Sequence, residues 1–145
     1  MNTAFVMQLL IAGTMLTWAT IHDVRHYTIP VYVLLLGAVV GLAAALVFHG
    51  GHAVVQSILG GLLGGILGWV LFRMARLGEG DVFLFLALGV IFGPVVILSI
   101  FVWSNVLVLI RLAIPVLKRQ KIRIAVAPYI FAGTLFSLLI PLHIF

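Results

Sequence analysis

The stretch Pro30–Phe48, PVYVLLLGAVVGLAAALVF, decides the class of fold, because it runs for 19 residues without a charged side chain. A helix needs about 17–25 such residues to cross the hydrocarbon core of a bilayer. The whole chain shares this character, since its 145 residues are 65% hydrophobic and only 8% charged. A soluble domain of this size cannot bury so much apolar surface, so the sequence predicts a membrane protein.

Similar apolar segments on both sides of this stretch predict an all-α fold, a polytopic membrane bundle of about six transmembrane helices. The run from Val82 to Ile114 is too long for one crossing, and we expect Gly93-Pro94 to divide it. No linker divides the chain, so residues 1–145 are expected to form a single integral-membrane domain. The predicted helices cover about Ala4–Ile21, Pro30–Phe48, Ala53–Phe72, Val82–Phe92, Pro94–Ile114 and Ile124–Leu142.

The basic residues set the expected orientation. Six crossings place all eight on one side, in the first, third and fifth connections, and the positive-inside rule makes that side cytoplasmic. The net charge of +5 then reflects topology in an inner membrane and predicts contact with anionic lipid rather than nucleic acid. The eight are Arg25, Arg73, Arg76, Arg111, Lys118, Arg119, Lys121 and Arg123.

The acidic residues are the candidate functional groups. Asp23 and Asp81 are the two aspartates of the chain, and Glu79 is its one glutamate. Both aspartates lie where an apolar segment meets a cytoplasmic connection, and a carboxylate at a bilayer boundary usually marks a functional site. Two carboxyls that share a proton can activate a water molecule, as in aspartic proteases. We therefore expect Asp23 and Asp81 to be catalytic.

The residues beside Asp81 are expected to shape the site. Gly78 and Gly80 allow unusual backbone angles and the close approach of a second chain, which an extended substrate needs. Glu79 would shape the local field. A structural interpretation stands beside this one: a glycine-rich turn with Asp81 as N-cap of the next helix. Asp23 could likewise be a topology marker paired with Arg25 or His26.

Two strings of the sequence resemble the motifs of type IV prepilin leader peptidases, which are membrane aspartyl proteases of the GxGD type. They are Asp23-Val24-Arg25-His26-Tyr27-Thr28-Ile29-Pro30 and Gly78-Glu79-Gly80-Asp81-Val82. A third stretch, Ala127–Gly133, is similar to the start of the last conserved helix of that family. Phe83 stands where the family often has Lys, and Val31 where it often has Asn or Asp.

The resemblance implies an endopeptidase that removes the leader of a prepilin at the cytoplasmic face, with no cofactor and no metal. Larger members add a cytoplasmic region with paired cysteines and also methylate the new N-terminus. This chain has no Cys. It is similar to the short form associated with Flp-type, tight-adherence pili or with archaeal flagellin-like pilins, which implies cleavage without methylation.

Three other functions remain open from the sequence. His22 and His26 have the i, i+4 spacing of zinc ligands, which would suit an intramembrane metalloprotease. Against this, Pro30 is expected to disfavour a continuous helix through the motif. Paired membrane acids also serve proton-coupled transporters, although those acids usually lie near the bilayer midplane. A subunit of a larger assembly is the remaining non-enzymatic alternative.

Small residues four apart on the third predicted helix let two helix backbones approach closely. Gly60, Gly64 and Gly68 form this row. We expect the row to pack inside one bundle, with a homodimer face as the alternative.

Overall fold

A computed structural model describes residues 3–75, 78–117 and 124–140. These ranges contain six helices and no strand, which confirms the all-α prediction. Four helices are long and apolar enough to cross a membrane, so the chain is a membrane protein. The helices are α1 (Thr3–His26), α2 (Val31–His49), α3 (Gly51–Ala75), α4 (Glu79–Phe92), α5 (Pro94–Leu117) and α6 (Ala127–Leu139).

The helix boundaries agree with the sequence where proline or glycine fixes them. The predicted break occurs at Gly93, whose φ of 83° ends α4 directly before Pro94. By contrast, α6 begins at Ala127 rather than Ile124, and its predicted end at Leu142 lies outside the described residues. Arg76 and the basic run at 118–123 also lie outside them.

The end of α1 differs from the prediction. The helix continues past Ile21 to His26, so the expectation that Pro30 would prevent a continuous helix through His22–His26 was wrong. A proline ring clashes with the carbonyl four residues before it and restricts the residue directly before it. Pro30 therefore ends the helix at His26 and leaves the turn that carries Asp23 intact.

The centre of the bundle is α4, which contacts α1, α2, α3 and α5. Its side chains from Asp81 to Phe92 are all buried or half-buried, and a helix covered in this way needs no polar face. The buried ones include Leu84, Phe85, Ala87, Leu88 and Ile91, each at most 2% exposed. Asp81, in the first turn of α4, is therefore surrounded by protein rather than by lipid.

The glycine row of α3 gives α4 its closest neighbour. A Cβ at Gly64 would collide with the carbonyl oxygen of Phe85, and one at Gly68 would lie 2.8 Å from the Cα of Val82. Gly60 meets the backbone of Gly89 in the same way, so α3 and α4 are antiparallel. The prediction that this row packs inside one bundle is confirmed.

The last helix closes the bundle beside α5 and α1. Gly133 of α6 packs directly on Ser104 of α5. The first turn of α6 meets the last turn of α1, and Gly80 at the start of α4 lies against Ile29, just before α2. The last turn of α1 and the first turns of α4 and α6 therefore meet at one end of the molecule.

Candidate active site

Asp23 lies in the last full turn of α1 and is only 6% exposed. The N–H of Ala127 donates a hydrogen bond to its Oδ2 at 3.0 Å, across 104 residues of sequence. Ala127 is the first residue of α6, and the leading amides of a helix have no partner within the helix. The carboxyl of Asp23 therefore supplies the acceptor that the start of α6 lacks.

Asp81 lies in the first turn of α4 and is 5% exposed. Its Oδ2 accepts a hydrogen bond from the N–H of Gly78 at 3.1 Å, and its own N–H donates to the Gly78 carbonyl at 3.1 Å. Gly78 occupies the N-cap position, so Asp81 is not the N-cap residue itself, but its carboxyl does cap the start of α4. Asp81 is the third residue of α4, and its carboxyl stabilises the turn before the helix by accepting the Gly78 N–H.

The charge of Asp23 affects the pKa of Asp81. Asp81 precedes the apolar part of α4 and lies outside the four long apolar helices. Burial and, to a smaller extent, the charge of Asp23 together raise the pKa of Asp81 to about 7, although the Gly78 amide opposes the shift. A buried pair of this kind disfavours two simultaneous negative charges, so it can retain one proton near neutral pH.

Ile29 joins the segments that carry the two acids. A Cβ added to Gly80 would come within 2.7 Å of the Ile29 Cβ, so glycine is needed here for close packing. Gly78 has an ordinary extended backbone (φ −69°, ψ 152°) and is exposed, as is Glu79. Neither glycine has the unusual backbone angles that were expected, and Gly80 serves close packing within the chain. The close approach of a substrate chain stays a prediction.

The turn between α1 and α2 is strained. The Tyr27 N–H donates the last helical hydrogen bond of α1, to the Asp23 carbonyl at 2.8 Å, and the φ of 53° at Tyr27 turns the chain away from the helix. The next residue is held by His22, whose Nδ1 lies 2.7 Å from the Thr28 carbonyl oxygen. A non-glycine residue in this region is costly and is maintained where the surroundings enforce it. Here the turn places Ile29 against Gly80.

The two histidines lie on one face of α1, with ring centroids 4.7 Å apart. Within residues 3–75, 78–117 and 124–140, no three His, Asp or Glu side chains gather as metal ligands would. Arg25 and His26 are exposed, whereas Asp23 is buried and directed at α6. This arrangement does not match the interpretation of Asp23 as a topology marker that pairs with Arg25 or His26.

The sequence predicted that both acids belong to the site but not which groups position them. The Ala127 donor is a main-chain group, which leaves no side-chain signal in the sequence. Ile29 and Tyr27 were noted within a motif, but no pattern showed that one packs on Gly80 or that the other adopts a positive φ.

The model of the type IV leader peptidase family matches residues 10–113, more than two thirds of the chain. The chain belongs to this family and is therefore a peptidase. The match includes Asp23 and Asp81 and ends before α6. No curated protein and no solved structure matches the chain.

Proposed function

We propose that the chain is an aspartyl endopeptidase of the inner membrane that removes the leader peptides of Flp-type prepilins at the cytoplasmic face. One observation carries the proposal: Asp23 and Asp81, on separate helices, are both buried at one end of the bundle and interact electrostatically. The family supports a leader peptidase, and this pair supplies the chemistry for one.

The reaction is the hydrolysis of one peptide bond. A carboxylate removes a proton from water, and the water oxygen forms a bond to the scissile carbonyl carbon. The second carboxyl, still protonated, donates a hydrogen bond to the carbonyl oxygen as negative charge develops there. The C–N bond then breaks, and the abstracted proton passes to the leaving amine. No cofactor is needed for these steps.

The arrangement suits a substrate that is itself embedded in the membrane. The exposed Gly78-Glu79 segment lies beside Asp81, so an extended leader could approach the acids from the cytoplasm. The carboxylate of Glu79 would attract a basic leader. The apolar helix of the pilin would remain in the bilayer while the bond before it is cut.

Co-expression with Flp-type prepilins, followed by N-terminal sequencing of the products, tests this function. We expect one new N-terminus just before the hydrophobic segment of the pilin, with no methyl group on it. Cleavage within the leader helix at scattered positions, or no cleavage of any such prepilin by the inserted protein, would argue against the proposal. Loss of cleavage on adding a chelator would favour the metal-dependent alternative through His22 and His26.

A further inference from the structure

A hydroxyl group close to the acid pair lacks a hydrogen-bond partner. The Oγ1 atom of Thr20 is shielded from solvent, yet no donor or acceptor among the described residues pairs with it. Thr20 lies on α1 three residues before Asp23, which is about one helical turn away. An unpaired buried hydroxyl is costly, and such a group in a native structure calls for an explanation.

Other hydroxyls of the helices show what Thr20 does not do. A serine or threonine within a helix often donates to the carbonyl four residues before it. Four side chains of this chain do so, with distances of 2.6–2.8 Å: Thr14, Thr17, Ser104 and Thr134. Thr20 makes no such bond to the Leu16 carbonyl, so its hydroxyl is available to another acceptor.

The carboxyl of Asp23 offers an acceptor within reach. Side chains three residues apart on a helix are neighbours, with Cβ atoms about 5–6 Å apart, and the later side chain leans back toward the earlier one. The Asp23 Oδ2 accepts the Ala127 N–H at 3.0 Å. An ionised carboxylate can accept about four hydrogen bonds, so acceptor capacity remains. Threonine in a helix divides between two χ1 rotamers, and rotation about this one bond redirects the Thr20 hydroxyl.

We propose that the Thr20 hydroxyl donates a hydrogen bond to the ionised carboxylate of Asp23 and fixes its orientation. The bond forms when Asp23 ionises, whichever acid of the pair ionises first. Thr20 acts through Asp23 and touches no reacting atom, so it is a positioning residue. Its catalytic meaning rests on the proposed function: with Ala127 on one side and Thr20 on the other, Asp23 presents one geometry to the water and to Asp81.

The charged and titratable groups around Asp23 do not take the place of this hydroxyl. On α1, the Nδ1 of His22 is paired with the Thr28 carbonyl. On α4, the carboxyl of Asp81 is paired with the Gly78 amide. The other described titratable side chains of α1, α2, α4 and α6 are exposed or, for the tyrosine of α6, half-buried: Arg25, His26, Tyr32, Glu79 and Tyr129.

The composition of the chain makes a direct test practical. Because Asp23 and Asp81 are its two aspartates, protein labelled with ¹³C at the aspartate carboxyl gives two signals, which Asp23→Asn and Asp81→Asn assign. Thr20→Val replaces the hydroxyl by a methyl group. A carboxylate that loses a hydrogen-bond donor keeps its proton to higher pH, so the Asp23 transition in detergent should move up by about one pH unit. Thr20→Ser retains the hydroxyl and should titrate like the wild type.

Ser137 supplies a matched control. Its hydroxyl is also buried and unpaired within the described residues, but it lies ten residues after Ala127, about 15 Å further along α6. Thr20→Val and Ser137→Ala each remove an unpaired buried hydroxyl, so neither should lower the thermal stability. Thr20→Val alone should move the Asp23 transition. It should also lower kcat for prepilin cleavage about tenfold and leave KM unchanged, because Thr20 touches no substrate.

An unchanged Asp23 transition in folded Thr20→Val protein would overturn the proposal. So would an equal shift in Ser137→Ala or in Thr20→Ser, and an unchanged kcat beside a shifted transition would remove the positioning role. If Thr20→Val does not fold, Thr20→Ala gives the same comparison. The titrations use no substrate, so failure to cleave any prepilin would count against the proposed function and leave the bond between Thr20 and Asp23 to be decided by them.

Discussion

At the residue scale, the site depends on two neighbouring glycines with different tasks. Gly80 has Ile29 packed where its Cβ would be, at 2.7 Å. Among the described residues, a Cβ at Gly78 would meet only the Asp81 Oδ2, at an ordinary 3.6 Å. Packing inside the chain requires glycine at position 80. Gly78 is exposed.

Gly80→Ala should therefore lower the stability of the protein. Alanine favours a helix over glycine by up to about 1 kcal/mol, but overpacking against Ile29 costs about 1–3 kcal/mol, and the second effect should win. Thermal unfolding in detergent measures the difference. Gly78→Ser is the control, because serine is a preferred N-cap residue and its Cβ has room. Equal stabilities for the two variants would contradict the packing argument.

The proton on Asp81 predicts how stability depends on pH. Its pKa rises from 3.8 to about 7 on folding, so between these values the folded protein holds a proton that the unfolded chain releases. Stability should therefore fall as the pH rises through this window, by at most about 4 kcal/mol.

Unfolding of wild type and Asp81→Asn at pH 5 and pH 8 checks this prediction. The wild type should lose stability at pH 8, and the loss should be much smaller in Asp81→Asn, which has no proton to release at that position. Glu79→Gln, an exposed change in the same turn, should behave like the wild type. A wild-type pH dependence that persists in Asp81→Asn would show that burial of Asp81 is not its cause.

At the element scale, the sequence predicted six helices and the glycine-proline break, because apolar length and proline chemistry are local properties. The row of glycines on α3 was predictable for the same reason. The meeting of α6 with Asp23 was not, since it joins a side chain to a main-chain amide 104 residues away. The apolar pattern of α1 ends at Ile21, so it does not show that the helix continues through polar residues to His26.

The contact between α3 and α4 holds the helix that carries Asp81. Gly64→Ala would drive a methyl group into the Phe85 carbonyl, a backbone atom that cannot move without shifting α4. We expect a cost of about 2 kcal/mol or more in unfolding experiments. Gly13→Ala on α1 is the matched control, since no atom of the described residues lies within 4 Å of its added Cβ, and it should be neutral or stabilising. A neutral Gly64→Ala would rule out this close contact.

At the scale of the whole molecule, the acids and the three described arginines lie toward the same end. Arg25 and Arg73 occupy the last turns of α1 and α3, and Arg111 lies near the end of α5. With the positive-inside rule, this end is expected to face the cytoplasm. A homodimer would have to use a face other than the Gly60–Gly68 row, which α4 covers, and cross-linking in membranes would test for one.

Single cysteines test the orientation without background, because the chain has none of its own. Val24→Cys, at an exposed position beside Asp23, should react with a membrane-impermeant thiol reagent only from the cytoplasmic side. His52→Cys, exposed at the opposite end of α3, should react only from the other side. Labelling of both positions from one side, or the reverse pattern, would contradict the topology.

The central claim is that Asp23 and Asp81 together hydrolyse the leader peptide, and the most direct measurement is cleavage of a Flp-type prepilin by purified protein in liposomes. Asp23→Asn and Asp81→Asn nearly preserve shape but cannot exchange a proton, so each should lower the cleavage rate by about a hundredfold or more. Glu79→Gln, with its charge removed two residues from Asp81, should remain within a few-fold of wild type. Cleavage near the wild-type rate by either asparagine variant would contradict the account.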